Sequence, residues 1–151
     1  AVMTARIANG KDAVVPSLLS KPKGVTQIFA PLDISESALA VIRRGMSAVL
    51  YGVAGTASSF KLSKKYGGMA GKTGTVQVKR ITLAQREKGI TQNIDRPWAD
   101  RDHALFVGYA PLKDPRYAIS VVVEHGGSGS STAAPVARDI LAKTIAERGL
   151  I

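Results

Sequence analysis

The chain has 151 residues, with 21 Lys and Arg against 11 Asp and Glu, two His and no Cys. That length suits one domain able to bury roughly 70% of its unfolded surface, and 45% hydrophobic with 21% charged residues excludes a disordered or fibrous chain. Without Cys there is no disulfide framework, thiol nucleophile, zinc ribbon or iron–sulfur centre, no apolar run reaches the ~20 residues of a membrane span, and the start lacks the basic-then-apolar profile of a signal peptide.

A net charge of +10 invites a nucleic-acid reading. The basic residues are spread along the chain, however, with 10 in residues 1–75 and 11 in residues 76–151. The densest patches are Lys61, Lys64 and Lys65, then Lys79 and Arg80. Aromatic residues make up only 5% and do not interleave with the basic ones, so no stacking platform for bases is expected. The charge is expected to face an anionic neighbourhood such as a membrane or cell wall.

Residues 1–8 predict a helix stopped by Asn9-Gly10. No Ser, Thr, Asp or Asn caps its beginning, which predicts that the chain starts inside an element of a larger protein. Residues 16–31 are mixed: Ser20-Lys21-Pro22-Lys23-Gly24 is turn-like and residues 25–29 are a short apolar stretch. Asp33 or Ser35 can cap the next helix, with Glu36 in its first turn. That helix runs to Tyr51-Gly52 and carries Leu39, Ile42, Met46 and Val49 as a packing stripe. Gly55-Thr56-Ala57, a basic stretch and Gly67-Gly68 follow, then strand composition from Lys72 to Val78.

Residues 79–101 are polar and charged, with Gly89 and Pro97, and predict an excursion loop. Residues 103–110 and 116–124 are two β-prone runs joined by Pro111-Leu112-Lys113-Asp114-Pro115, which predicts a hairpin. In the second run Tyr117, Ile119, Val121 and Val123 share a face, and Ala118, Ser120 and Val122 leave the other small enough for a helix to cover. After a Gly/Ser turn at 126–131, a last helix is expected over about 132–148, with Val136, Ile140, Leu141 and Ile145 buried and Gly149 as its stop. The fold class is α+β: an antiparallel sheet of at least three strands packed by helices.

Chemistry concentrates around Lys72. A phosphate-binding loop, G-x-x-x-x-G-K-[ST], would need glycine at Tyr66; Gly67 makes it one residue too short. The segment after Lys72-Thr73 also continues as a strand, whereas phosphate loops open a helix. The second reading is Lys-Thr-Gly on an edge strand, an element of β-lactamases and penicillin-binding proteins. There Lys72 and Gly74 share a face. Lys72 places an ammonium beside a carboxylate-bearing substrate and a proton in transit. Gly74 leaves room for a substrate to lie along the strand, Thr73 adds a hydroxyl donor, and the Thr75 backbone can pair with an extended peptide and stabilise an oxyanion.

The context is more specific than the tripeptide. Met69-Ala70-Gly71-Lys72-Thr73-Gly74-Thr75-Val76-Gln77-Val78, His103-Ala104-Leu105-Phe106-Val107-Gly108-Tyr109-Ala110-Pro111, the run from Asp114 to Gly127 with Glu124-His125-Gly126-Gly127 at its end, and Ala133-Ala134-Pro135-Val136-Ala137-Arg138-Asp139-Ile140 closely resemble the C-terminal part of class B penicillin-binding proteins of the cell-elongation type. The likeness covers nearly the whole chain. It implies a β-lactamase/transpeptidase-like domain and a serine-type D,D-transpeptidase that cross-links stem peptides through an acyl-enzyme and is trapped by β-lactams. Lys72, Thr73, Gly74 and Thr75 carry over as the substrate-binding strand, with no cofactor and no metal. It further implies the periplasmic face of the inner membrane, an anchoring helix outside this chain, and a membrane glycosyltransferase and elongation proteins as partners in setting cell shape.

The nucleophile motif S-x-x-K and the Ser-x-Asn element of the family lie upstream of everything present. Ser20-Lys21-Pro22-Lys23 has proline where a helical turn is needed. Ser58-Ser59-Phe60-Lys61 is helix-compatible but starts only 14 residues before Lys72. Thr91-Gln92-Asn93 is the nearest approach to Ser-x-Asn and falls in the expected loop. The nucleophilic Ser and general-base Lys are therefore expected outside this chain, which alone is expected to be inactive. His103 opens a strand without the further ligands that a metal site would need, His125 reads as hydrogen-bonded structure or rim, Ser128, Ser130 and Ser131 as turn and helix cap, and Trp98 as a lid, a partner contact or an anchor. A non-catalytic peptide-binding module and a basic nucleic-acid-binding domain are the alternatives.

Overall fold

Helix starts and stops follow the local chemistry closely. The structure, a computed structural model, describes residues 1–10, 16, 18, 30–90 and 92–148. Helix α1, Val2–Asn9, ends at Gly10, whose φ of 68° lets its N–H reach the Arg6 carbonyl. Ser35 caps α2, Glu36–Tyr51, by accepting from the Ala38 N–H at 3.3 Å, with Glu36 in the first turn. Arg43 binds the two helices together: its Nε donates to the Ile7 carbonyl at 2.8 Å and its guanidinium pairs with Glu36.

Three strands form an antiparallel sheet in the order β1-β2-β3: β1 is Ala70–Val76, β2 His103–Ala110 and β3 Tyr117–Val123. The predicted hairpin is present, closed by the Arg116 N–H on the Ala110 carbonyl at 3.0 Å. The register places Thr73 opposite Phe106 and Phe106 opposite Val121, with Lys72 opposite Val107 and Gly74 opposite Leu105. Alternation then assigns the faces. Ala104, Phe106 and Ala110 lie in the larger core, under the last helix, with Leu50, Ala57, Leu62 and Met69. Ala70 and Tyr109 lie on the opposite face with Ala8 of α1 and Met46 of α2.

The last helix, α4, spans Ala134–Glu147 and is preceded by a π-helical turn, Gly129–Ala133. Its buried stripe is Ala134, Ala137, Leu141 and Ile145; the expected Val136 and Ile140 are 41% and 49% exposed. The reason is steric. Ala133, Ala134 and Ala137 let the start of the helix approach the sheet closely, Leu141 and Ile145 continue that buried face, and Val136 and Ile140 fall outside it. In α2, too, the buried set differs from the expected stripe, though for a different reason: Leu39, Met46 and Leu50 are buried while Ile42 is 41% exposed beside the groove described below. No serine side chain caps α4 or its π turn; Thr132 instead donates its hydroxyl to the Gly126 carbonyl at 2.8 Å.

The excursion after β1 is more ordered than its composition suggests. It holds a short helix, α3, Leu83–Glu87, opened by a capping box between Thr82 and Gln85. Its polar centre is Arg96, 6% exposed. Arg96 pairs with Asp102 at 2.9 Å and donates to the Lys79 carbonyl at 2.8 Å, so the start and end of the excursion are joined. Asn93 completes the network by accepting from the Asp102 N–H at 2.9 Å.

Candidate functional site

Strand β1 pairs with β2 on one side, and among the described residues no strand pairs with its other edge. Three glycines keep it close to its neighbours. A Cβ on Gly71 would stand 2.2 Å from the Phe106 ring, and one on Gly74 would press the Leu105 Cβ at 3.3 Å. Behind Gly74 lies Gly129 of the π turn, with no room between the two backbones for a side chain.

The four candidate residues fall together on this strand. Lys72 is exposed and shares its face with Val107 and Tyr109, towards α1 and α2. Its Nζ donates to the carbonyl of Thr73 at 2.7 Å, folding the ammonium over its own strand. Thr73 points to the opposite face, where its hydroxyl meets that of Thr56 at 3.0 Å. Gly74 leaves the strand bare, and Thr75 is exposed at the same edge.

Beside Lys72 the two helices and the sheet enclose a groove of about 460 Å³, lined by Met3, Thr4, Ile7, Ile42, Gly45, Met46, Val49 and Val107. It is apolar except for Lys72 and the Thr4 hydroxyl, which is buried and has no hydrogen-bond partner among the described residues. This groove is why Ile42 is exposed. An edge strand carrying an ammonium, hydroxyls and free backbone groups can hold an extended, anionic peptide.

The other sequence candidates lie apart or in structural roles. Ser58 begins a 3₁₀ turn, Ser58–Phe60, and Lys61 places its ammonium 5.9 Å from the centre of the Tyr51 ring. The Ser20–Lys23 motif lies outside the described residues, as does Thr91. Asn93 is committed to Arg96 and Asp102.

His103 and His125 form a structural pair. The His125 N–H donates to His103 Nδ1 at 2.8 Å, which puts the proton of the neutral His103 ring on Nε2. His125 holds a φ of 54° and contacts the Arg101 carbonyl through Nδ1 at 3.0 Å. Trp98 leans on His125 with ring centroids 4.3 Å apart, so it anchors the excursion to the end of the sheet.

Sequence reasoning passed over two features. The Arg96–Asp102 pair carried no pattern beyond a local excess of charge. Thr56 stood in a noted tripeptide, but its partner is 17 residues away.

The family described as the penicillin-binding protein transpeptidase domain matches residues 1–142. The peptidoglycan D,D-transpeptidase MrdA of Salmonella typhimurium is 33% identical over 147 residues, covering 92% of this chain and 23% of that protein. PbpA of Mycolicibacterium smegmatis, also a peptidoglycan D,D-transpeptidase, is 27% identical, covering 97% of this chain and 28% of its own length. The chain thus spans about a quarter of the length of these curated relatives.

Among solved structures, Pseudomonas aeruginosa PBP2 in complex with WCK 5153 superposes with a TM-score of 0.65 at 31% identity, covering 95% of this chain and 27% of that one. The complex of PBP2 with MreC from Helicobacter pylori gives a TM-score of 0.67 at 26% identity, with 99% of this chain and 24% of that one covered. These neighbours share the mixed architecture of helices on an antiparallel sheet that the sequence predicts.

Proposed function

Because the chain belongs to the penicillin-binding protein transpeptidase family, we propose that it is the C-terminal portion of a peptidoglycan D,D-transpeptidase, with Lys72, Thr73, Gly74 and Thr75 forming its substrate-binding strand. The observation that supports this reading is the edge of β1 that no strand among the described residues pairs, along which the Lys72 ammonium and the Thr73 and Thr75 groups lie.

The chemistry then divides between this chain and the segment upstream. A serine from an S-x-x-K helix outside this chain attacks the carbonyl of the D-Ala–D-Ala bond, its proton passing to the neighbouring lysine. The strand holds the stem peptide extended, Lys72 and Thr73 bind its terminal carboxylate, and the Thr75 N–H stabilises the developing oxyanion. The C–N bond breaks, terminal D-Ala leaves with the proton, and the amine of a second stem peptide takes the acyl group from the serine. A β-lactam enters by the same attack: its ring C–N bond opens, the ring nitrogen takes the proton, and the serine stays acylated.

The parent protein works at the periplasmic face of the inner membrane, held by a helix outside this chain. It acts there with a membrane glycosyltransferase and elongation proteins in cell-wall growth and cell shape. The complex of a relative with MreC supports partners of that kind.

Intact mass after incubation with benzylpenicillin tests the reading. This chain is expected to stay unshifted, and the full-length protein to gain one adduct. In that protein Lys72→Ala is expected to slow acylation about 100-fold. A stoichiometric adduct on this chain would overturn the placement of the nucleophile and direct mutation to Ser58. Acylation of the full-length protein unaffected by Lys72→Ala would overturn the role of the strand.

A further inference from the structure

We infer that Thr56 is a positioning residue for the carboxylate site on β1, orienting the Thr73 hydroxyl towards the ligand; the inference rests on the functional reading above. Thr56 stands in Gly55-Thr56-Ala57, a turn closed on the Gly52 cap of α2 and tied to the helix itself at Val49. The Gly55 N–H donates to the Gly52 carbonyl at 3.1 Å and the Ala57 N–H to the Val49 carbonyl at 2.9 Å. A Cβ on Gly55 would stand 2.5 Å from the Val49 carbonyl oxygen, and Ala57 is buried at 1% exposure in the larger core. The turn is therefore held against the end of the helix. Between these two anchors Thr56 is exposed, and its Oγ1 lies 3.0 Å from Thr73 Oγ1.

Two hydroxyls in contact share one hydrogen bond, and either can donate. An anion at the strand edge settles the direction. Thr73 must then give its proton to the carboxylate, so Thr56 must give its own to Thr73 Oγ1. The result is a relay in which Thr56 O–H points to Thr73 Oγ1 and Thr73 O–H points to the ligand. Each bond in such a chain polarises the next. No proton is transferred; the pair only fixes which way the Thr73 hydroxyl faces. Thr56 itself touches no substrate.

The test uses the full-length protein with Thr56→Val, Thr56→Ser and Thr73→Val, acylated by benzylpenicillin and by its neutral methyl ester. The expected result is an acylation efficiency for benzylpenicillin about fivefold lower in Thr56→Val, the size of one hydrogen bond. Thr56→Ser is expected to stay within about twofold of the starting protein, since the donor is kept. With the methyl ester, Thr56→Val and the starting protein should be equal. Equal acylation by benzylpenicillin would overturn the inference, and so would an equal loss for acid and ester, which marks a structural turn. If Thr73→Val acylates normally with both compounds, the reading of β1 as the carboxylate strand fails, and the inference fails with it.

Discussion

Gly129 lies back to back with Gly74: a Cβ on Gly129 would stand 2.2 Å from the Gly74 carbonyl oxygen and 2.4 Å from that of Leu105. The π turn that opens α4 thus braces the candidate strand from behind, through backbone alone. Neither carbonyl can move without disturbing the β1–β2 ladder.

Gly129→Ala should therefore cost about 1–3 kcal/mol through overpacking against backbone. Gly45 is the internal comparison, since it lies inside α2 with nothing within 4 Å of its Cβ position. Gly45→Ala should gain about 1 kcal/mol from helix propensity. Urea unfolding of the chain checks both, and equal effects would mean that the brace is compliant.

The Arg96–Asp102 pair should prove the weak point of the excursion. Their side chains are 5% and 17% exposed, and Arg96 also holds the Lys79 carbonyl. Arg96→Met leaves a poorly solvated carboxylate and a free carbonyl, a loss on the order of 3 kcal/mol. Arg96→Met with Asp102→Asn should recover part of that loss. Urea unfolding with limited proteolysis across residues 79–101 reads both effects; a single substitution without effect would mean that water replaces the guanidinium.

Tyr109 sets the expected behaviour at high pH. It is 2% exposed, and burial raises its phenol above the ordinary value while Arg43 pulls it partly back. A raised value in the folded state means that the neutral form is the one favoured by folding. The stabilisation is complete below the unfolded value of about 10 and is lost as pH rises through the folded value. Urea midpoints from about pH 8 to about pH 11 should fall at the alkaline end. Tyr109→Phe should flatten that part of the fall which belongs to this residue; an unchanged profile would assign the fall to other groups.

The strands were the most legible part of the fold. β-Branched and aromatic alternation places β2 over His103–Ala110 and the β3 face on Ile119, Val121 and Val123, as found. Helix faces were less so, because hydropathy ranks Val136 and Ile140 above Ala134 and Ala137. Close approach to a sheet selects the reverse. In the excursion, Thr82-Leu83-Ala84-Gln85 has the pattern of a capping box, set in a segment whose charge, Gly89 and Pro97 point to a loop. Lys72-Thr73-Gly74 was legible as a motif. Its contact with Thr56 was not, since it depends on how the chain turns back after Tyr51, and strand order at the open edge is no property of any local window.

The ammonium resting on the Thr73 carbonyl has a consequence for self-association. A bare sheet margin is a template on which a second copy of the chain can add its own strand. Two β1 strands brought side by side would set one Lys72 against another, and each would have to release the carbonyl it covers. The cation proposed to hold a negatively charged peptide at this margin thus also discourages copies of the protein from stacking into a continuous sheet.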